Sequence, residues 1–164
     1  MSEIIVNGNN AGMEQQETIA KAIAEEAHEG QFDKGGVPYI QHPATVASVL
    51  HGDKLRAVGW LHDVVEDTDW TLDDLRARGV DEDVVTSVDV LTRRKHAETY
   101  AEYIERVALD DMARQVKIAD LWNNSDPARW RRGMKPSLRK RYKRALEFLG
   151  EDTSGYDLNP PFAD

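Results

Sequence analysis

Apolar positions recur three and four residues apart along most of this chain, the spacing of helices rather than the alternation of strands. The first stretch to show it is EQQETIAKAIAEEAH, Glu14 to His28, where Ile19, Ala22, Ile23 and Ala27 share a face. GQFDKGGVPY then breaks the pattern with three Gly and a Pro and reads as a loop. Pro43 suits the first turn of a second helix, where its missing N–H would be unpaired anyway, and Val46, Ala47, Val49 and Leu50 carry that helix. Asp53 is placed to cap a third helix running to about Asp67. Thr71 to Asp74 opens a short fourth, and Asp81 caps a fifth with Val84, Val85, Val88 and Leu91 inward. Tyr100 to Leu109 and Asp110 to about Ser125 form two more. Pro136 opens the last, with Leu138, Tyr142, Leu146 and Leu149 on one face and Gly150 ending it. The pattern predicts an all-α fold, a single compact bundle of roughly seven short helices over residues 14–150. Residues 1–13 read as a loose leader and 151–164 as a tail or docked arm.

Composition narrows the chemistry. A chain of 164 residues is a normal size for one domain. It has no cysteine, so any metal site must use imidazole and carboxylate. No apolar run is long enough to span a bilayer, and the N-terminal stretch lacks the basic and apolar regions of a secretory signal, so a cytoplasmic location is expected. A net charge of −9 argues against a nucleic-acid partner. Against that background Arg129 to Arg144 holds nine Lys or Arg and no acidic residue. This segment reads first as a solvated helix face, with phosphate holding and nucleic-acid binding as alternatives. Trp60 and Trp122 read as core, and His28, His51 and His96 lie off any ligand pattern.

The third helix, LRAVGWLHDVVEDT, carries the strongest signal. On a helical wheel Leu55, Val58, Leu61 and Val65 form one apolar arc, which Ala57, Trp60 and Val64 extend. The remaining wedge holds His62 stacked with Glu66 and Asp63 stacked with Asp67. Gly59 sits in the same wedge one turn earlier, leaving room for something to approach. Three carboxylates beside a buried stripe repel one another unless a cation joins them. The competing reading is a solvated acidic face that happens to contain a His.

Two other residues point inward by the same periodicity. Asp120 lies on the stripe of Ala113 and Val116, and His42 lines up with Val46 and Leu50. Each alone has an ordinary explanation, a carboxylate satisfied by Arg or a core imidazole. Together with His62 and Asp63 they make two imidazoles and two carboxylates. That set neutralises a divalent ion and, lacking sulfur, suits octahedral Mn²⁺, Fe²⁺ or Mg²⁺ with two positions left for water and a substrate oxygen. Glu66 and Asp67 are expected one helical pitch, about 5.4 Å, beyond the ligands, as catalytic groups rather than ligands.

The stretches AHEGQFDKGGVPYIQHP, AVGWLHDVVEDT and VKIADLWNN, in this order, resemble the HD superfamily of metal-dependent phosphohydrolases. His42, His62 with Asp63, and Asp120 meet its H…HD…D pattern. More narrowly the chain resembles the hydrolase domain of RelA/SpoT-type alarmone enzymes and their small stand-alone relatives. The resemblance implies a Mn²⁺ ion and release of the 3′-pyrophosphate from a guanosine alarmone such as ppGpp. It implies that Glu66 and Asp67 act on the attacking water, that Asn124 lies near the nucleotide ribose, and that Lys117 reaches a phosphate. Asp33 stands where these hydrolases carry Arg, with Lys34 the candidate replacement, and ADLWNN stands where they have ADRLHN. Those departures keep two alternatives open: hydrolysis of ordinary nucleotides, or a nucleotide-binding module without turnover.

Overall fold

The computed structural model describes residues 15–130 and 133–160, so the expected leader lies outside the described residues. The architecture is all-α: α1 (Gln15–Ala27), α2 (Gln41–Ser48), α3 (Asp53–Leu61), α4 (Val64–Asp67), α5 (Leu72–Ala77), α6 (Glu82–Leu91), α7 (Tyr100–Ala108), α8 (Asp111–Asn124) and α9 (Pro136–Phe148), with one 3₁₀ turn at Pro127–Arg129. Among the described residues the only strand-like pairing is an isolated bridge between Phe32 and Pro38. The buried α3 lies at the centre, against α1, α2, α6 and α8. Its Ala57, Val58 and Leu61 join Ile23 of α1, Val46 of α2 and Val84, Val85 and Val88 of α6 in one apolar core.

Local chemistry explains several helix starts. Thr71 and Asp74 form a capping box at α5, as do Thr99 and Glu102 at α7, and the Asp110 carboxylate accepts from the Ala113 N–H at α8. Two expected caps are corrected. Asp53 does not cap α3; its carboxylate accepts from the N–H groups of Gln16 and Glu17, at 3.1 and 2.9 Å, and so caps α1. Asp81 makes no side-chain cap bond and instead pairs with Lys54 at 3.4 Å.

The predicted third helix does not run through to Asp67. It ends at Leu61, His62 and Asp63 form a turn, and α4 is a single further turn. The role expected of Gly59 is also corrected. A Cβ there would lie 2.9 Å from Leu50 Cδ1 and 3.1 Å from Ala47 Cα, so the glycine lets α2 and α3 touch and leaves no room for a ligand.

The basic run is not simply a solvated face. Arg139 is buried and donates to the carbonyls of Asp157, at 2.9 Å, and Ser125, at 3.2 Å. The segment around Tyr156 docks there too, with Tyr156 buried and its hydroxyl 2.8 Å from Ser125 Oγ. This pins the end of α8 and the turn that follows it. Trp60 is core as expected, whereas Trp122 is 37% exposed.

Candidate functional site

Helix packing brings His42, His62, Asp63 and Asp120 to one point. His42 comes from the first turn of α2, His62 and Asp63 from the break between α3 and α4, and Asp120 from the buried face of α8. His42 Nε2 lies 3.1 Å from His62 Nε2, 2.9 Å from Asp120 Oδ1 and 3.6 Å from Asp63 Oδ2. His62 Nε2 lies 3.1 Å from Asp63 Oδ2 and 3.4 Å from Asp120 Oδ1.

The residues fit a cation. His62 Nδ1 donates to the Gly59 carbonyl at 2.6 Å, which leaves its Nε2 lone pair facing the centre. His42 Nδ1 lies 2.6 Å from Asn123 Oδ1, the geometry that likewise frees Nε2. Two imidazole lone pairs and two carboxylates at these separations require positive charge between them. Burial pushes the His62 imidazole down, but Asp63 and Asp120 more than offset this and hold it well above its usual range. The centre thus draws positive charge even when only a proton supplies it.

Each candidate ligand is held from behind. The Tyr39 hydroxyl donates to Asp63 Oδ2. Lys117 Nζ donates to Asp120 Oδ2 at 2.7 Å, and Asn124 Nδ2 to Asp120 Oδ1 at 2.8 Å. Burial pushes the Lys117 ammonium down, but Asp120 outweighs this and keeps it charged. Lys117 and Asn124, expected at the substrate, therefore point their side chains at the carboxylate of Asp120. Arg129 of the 3₁₀ turn donates to Asn124 Oδ1 and approaches His42 Nδ1 at 3.0 Å.

Glu66 and Asp67 stand beside this centre. Glu66 Oε1 accepts from the Arg93 N–H at 2.7 Å. A carboxylate oxygen from each of Asp63, Glu66 and Asp67 lies within 4.8 Å of the others. The three belong to one helical turn, in which the Asp67 N–H donates to the Asp63 carbonyl at 2.9 Å, so Glu66 and Asp67 face the same way as Asp63. Burial, then Asp63 and Glu66, push the Asp67 carboxyl up to about 6.

Sequence reasoning passed over four residues here. Tyr39 sits three positions before His42, inside the PYIQHP stretch, and was visible in principle. Asn123 was noted only as a departure. Arg129 was lost in the basic run. His28, taken as ordinary, is buried against the Tyr39 ring at 4.9 Å and bonded through Nδ1 to Gln31 at 2.8 Å. Lys34 is exposed over the Trp130 ring at 5.0 Å. With Lys135 and Arg141 it lines a cavity of about 690 Å³.

These features define a class. The family model described as "HD domain" matches residues 20–120, and the chain belongs to that family. It is similar to the guanosine-3′,5′-bis(diphosphate) 3′-pyrophosphohydrolase of Haemophilus influenzae, with 37% identity over 76% of this chain and 20% of that protein. It is similar also to a GTP pyrophosphokinase of Streptomyces coelicolor, with 31% identity over 94% of this chain and 20% of that protein. The bifunctional (p)ppGpp synthase/hydrolase SpoT of Escherichia coli shares 34% identity over 76% of this chain and 19% of that protein. The chain thus spans about a fifth of the length of the curated relatives it matches. Among solved structures, the protein of "A metazoan ortholog of SpoT hydrolyzes ppGpp and plays a role in starvation responses" has the same fold. Its TM-score is 0.71 at 23% identity, covering 87% of this chain and 90% of that one. No helix of the described residues is long and apolar enough to cross a membrane.

Proposed function

We propose that this chain is a metal-dependent phosphohydrolase that removes the 3′-pyrophosphate from a guanosine-3′,5′-bis(diphosphate)-like alarmone. The observation that carries the reading is the convergence of His42, His62, Asp63 and Asp120, with Glu66 and Asp67 close to Asp63. The names of the HD-family relatives supply the substrate class. A divalent cation held by these four residues, Mn²⁺ in our reading, would acidify a water and polarise a phosphoryl oxygen.

The chain's own groups then divide the work. Asp67, its carboxyl raised by burial and two neighbouring carboxylates, is suited to take a proton from the attacking water. Glu66, fixed by the Arg93 N–H, orients that water. Lys117 and Asn124 hold Asp120 in place, and Lys34 is free to meet a phosphate. A small nucleotide as partner, no nucleic acid and a cytoplasmic location complete the reading. Asp33 favours a second reading, hydrolysis of ordinary nucleoside 5′-phosphates, because the family's Arg is missing there.

The deciding experiment is a substrate panel with Mn²⁺, products separated by chromatography. Release of pyrophosphate from guanosine 3′-pyrophosphates is the expected result. If guanosine and adenosine 3′-pyrophosphates both survive while 5′-nucleotides lose phosphate, the second reading holds.

A further inference from the structure

The loop between α1 and α2 faces the 3₁₀ turn across a cavity of about 260 Å³. Tyr39 and Asn124 line it, and these are the residues that donate to Asp63 and Asp120. One end of the cavity therefore adjoins the candidate metal centre. Phe32, Asp33, Lys34, Arg129, Trp130 and Tyr142 line the remainder. Arg129 connects the two ends. Its carbonyl oxygen lies 3.6 Å from where a Cβ on Gly35 would stand, while its guanidinium reaches Asn124 and His42. The Asp33–Val37 loop is thus about one arginine side chain away from the metal centre, a span that suits a nucleoside.

Phe32 is 64% exposed, a large ring left uncovered at the edge of a pocket. Its backbone is not loose. The Asp33 N–H donates to the Val37 carbonyl at 2.8 Å, and the Tyr39 N–H to the Gln31 carbonyl at 2.9 Å, closing a tight hairpin. Asp33 shapes the same hairpin with one oxygen: Oδ1 accepts from the Gly35 and Val37 N–H groups at 2.8 and 3.0 Å. Oδ2 accepts from no group among the described residues. An ionised carboxylate has lone pairs on both oxygens, so Oδ2 keeps its acceptor capacity in a residue that lines the same cavity as Phe32.

Guanine offers two adjacent N–H donors on its pairing edge, N1–H and the 2-amino group. Adenine offers an acceptor, N1, in the corresponding place. A nucleobase also stacks on an exposed aromatic ring whatever its identity. We propose that Phe32 and Asp33 form the base-reading end of the pocket and select guanine, Phe32 by stacking and Asp33 Oδ2 by accepting N1–H and the 2-amino N–H. The inference rests on the nucleotide-hydrolase reading and adds to it a residue that sets base choice, at a position where alarmone hydrolases carry Arg. It also places the negative charge of Asp33 at the base, away from the phosphates, which lie toward the metal.

Calorimetric titration of the intact chain with guanosine, inosine and adenosine 5′-diphosphates tests this without turnover. Guanosine diphosphate should bind at least about tenfold tighter than adenosine diphosphate. Inosine diphosphate, which lacks only the 2-amino group, should fall between them. Asp33→Asn keeps an oxygen for the loop amides and turns the free acceptor into a donor. It should cut guanosine diphosphate affinity about tenfold and leave adenosine diphosphate unchanged or tighter. Phe32→Ala should weaken both by a similar factor, on the order of tenfold. Equal binding of the two bases, or a ratio untouched by Asp33→Asn, overturns the proposal. Selective binding that depends on Asp33 without any 3′-pyrophosphate cleavage leaves the base reading standing and removes the hydrolase reading. Cleavage without base preference does the reverse.

Discussion

The two ends of the pocket are built in opposite ways. At the metal end every candidate ligand comes from a helix or the turn between two helices, and each is hydrogen-bonded by a neighbour, Gly59, Asn123, Tyr39, Lys117 or Asn124. At the base end Phe32, Asp33 and Lys34 sit on a hairpin loop and Trp130 follows a short turn, with much of their surface in solvent. The first end matches the HD pattern residue for residue. The second holds Asp33, one of the two departures read in the sequence; the other, ADLWNN, brings Asn123 to the metal end behind His42. A scaffold that fixes its reactive groups on packed helices can change its loops, and so its substrate contacts, without disturbing the chemistry.

Removing a ligand should show the largest effect. His62→Ala should abolish metal uptake, reduce turnover by more than about 10⁴-fold, and lower thermal stability, since metal binding free energy adds to folding. Metal content, turnover and melting temperature on one preparation check this. A variant that still binds one metal per chain would show that the buried centre is not the metal site.

Glu66→Gln and Asp67→Asn come next, with turnover down on the order of 10²–10⁴ and metal retained. The pH profile adds a sign. Asp67 acts as a base only when ionised, so turnover should fall roughly tenfold per unit below its pKa and level off above it. Burial and the neighbouring carboxylates put that carboxyl at about 6 in the metal-free chain. A bound cation draws it lower, so the acid limb of the loaded protein should lie at or below that value, and Asp67→Asn should abolish it. Loss of metal in the Asp67 variant would make Asp67 a ligand, an outcome its closeness to Asp63 and Glu66 keeps open to test.

Asn123→Ala tests the support behind the ligands. Freed from Asn123, His42 Nδ1 no longer fixes its ring, and metal affinity should weaken by about 10–100-fold. Equilibrium metal titration is the measure. Unchanged affinity would mean that Arg129, not Asn123, orients His42.

Much of this was legible because periodicity is a statement about faces. His42 and Asp120 are buried where the apolar stripes put them, His62 is buried although it was read in the polar wedge of its helix, and Asp63 lies beside them, partly exposed. The turn at His62–Asp63 was not legible, since LHDVVED contains no Gly or Pro to announce a break. Arg139 hid in a run of cations that reads as a solvated face, yet it is buried on two backbone carbonyls. Gly59 looked like space for a ligand, because the sequence does not say which neighbouring helix comes closest. In each case the missing information was a contact between segments far apart in the chain.

Asp53 is the smallest and cleanest case of such a contact. Its position just before an apolar-periodic stretch made it an N-cap for the helix it begins, by a rule that considers only local sequence. The carboxylate instead crosses to α1 and accepts from two of its otherwise unpaired N–H groups, Gln16 and Glu17. A negative charge there also complements the positive end of the α1 dipole. Losing an N-terminal cap typically costs about 1 kcal/mol, which in a domain of this size lowers the melting temperature by about 2–4 °C. Asp53→Ala should show that loss, and Asp53→Asn, which keeps one acceptor oxygen, a smaller one. Neither should change metal affinity, because the residue lies outside the set of groups that bond the ligands. Amide hydrogen exchange locates the effect. If Asp53 caps α1, protection falls at Gln16 and Glu17 and not in the first turn of α3. Loss of protection confined to α3 would restore the local rule and remove the contact that ties these two helices together at their ends.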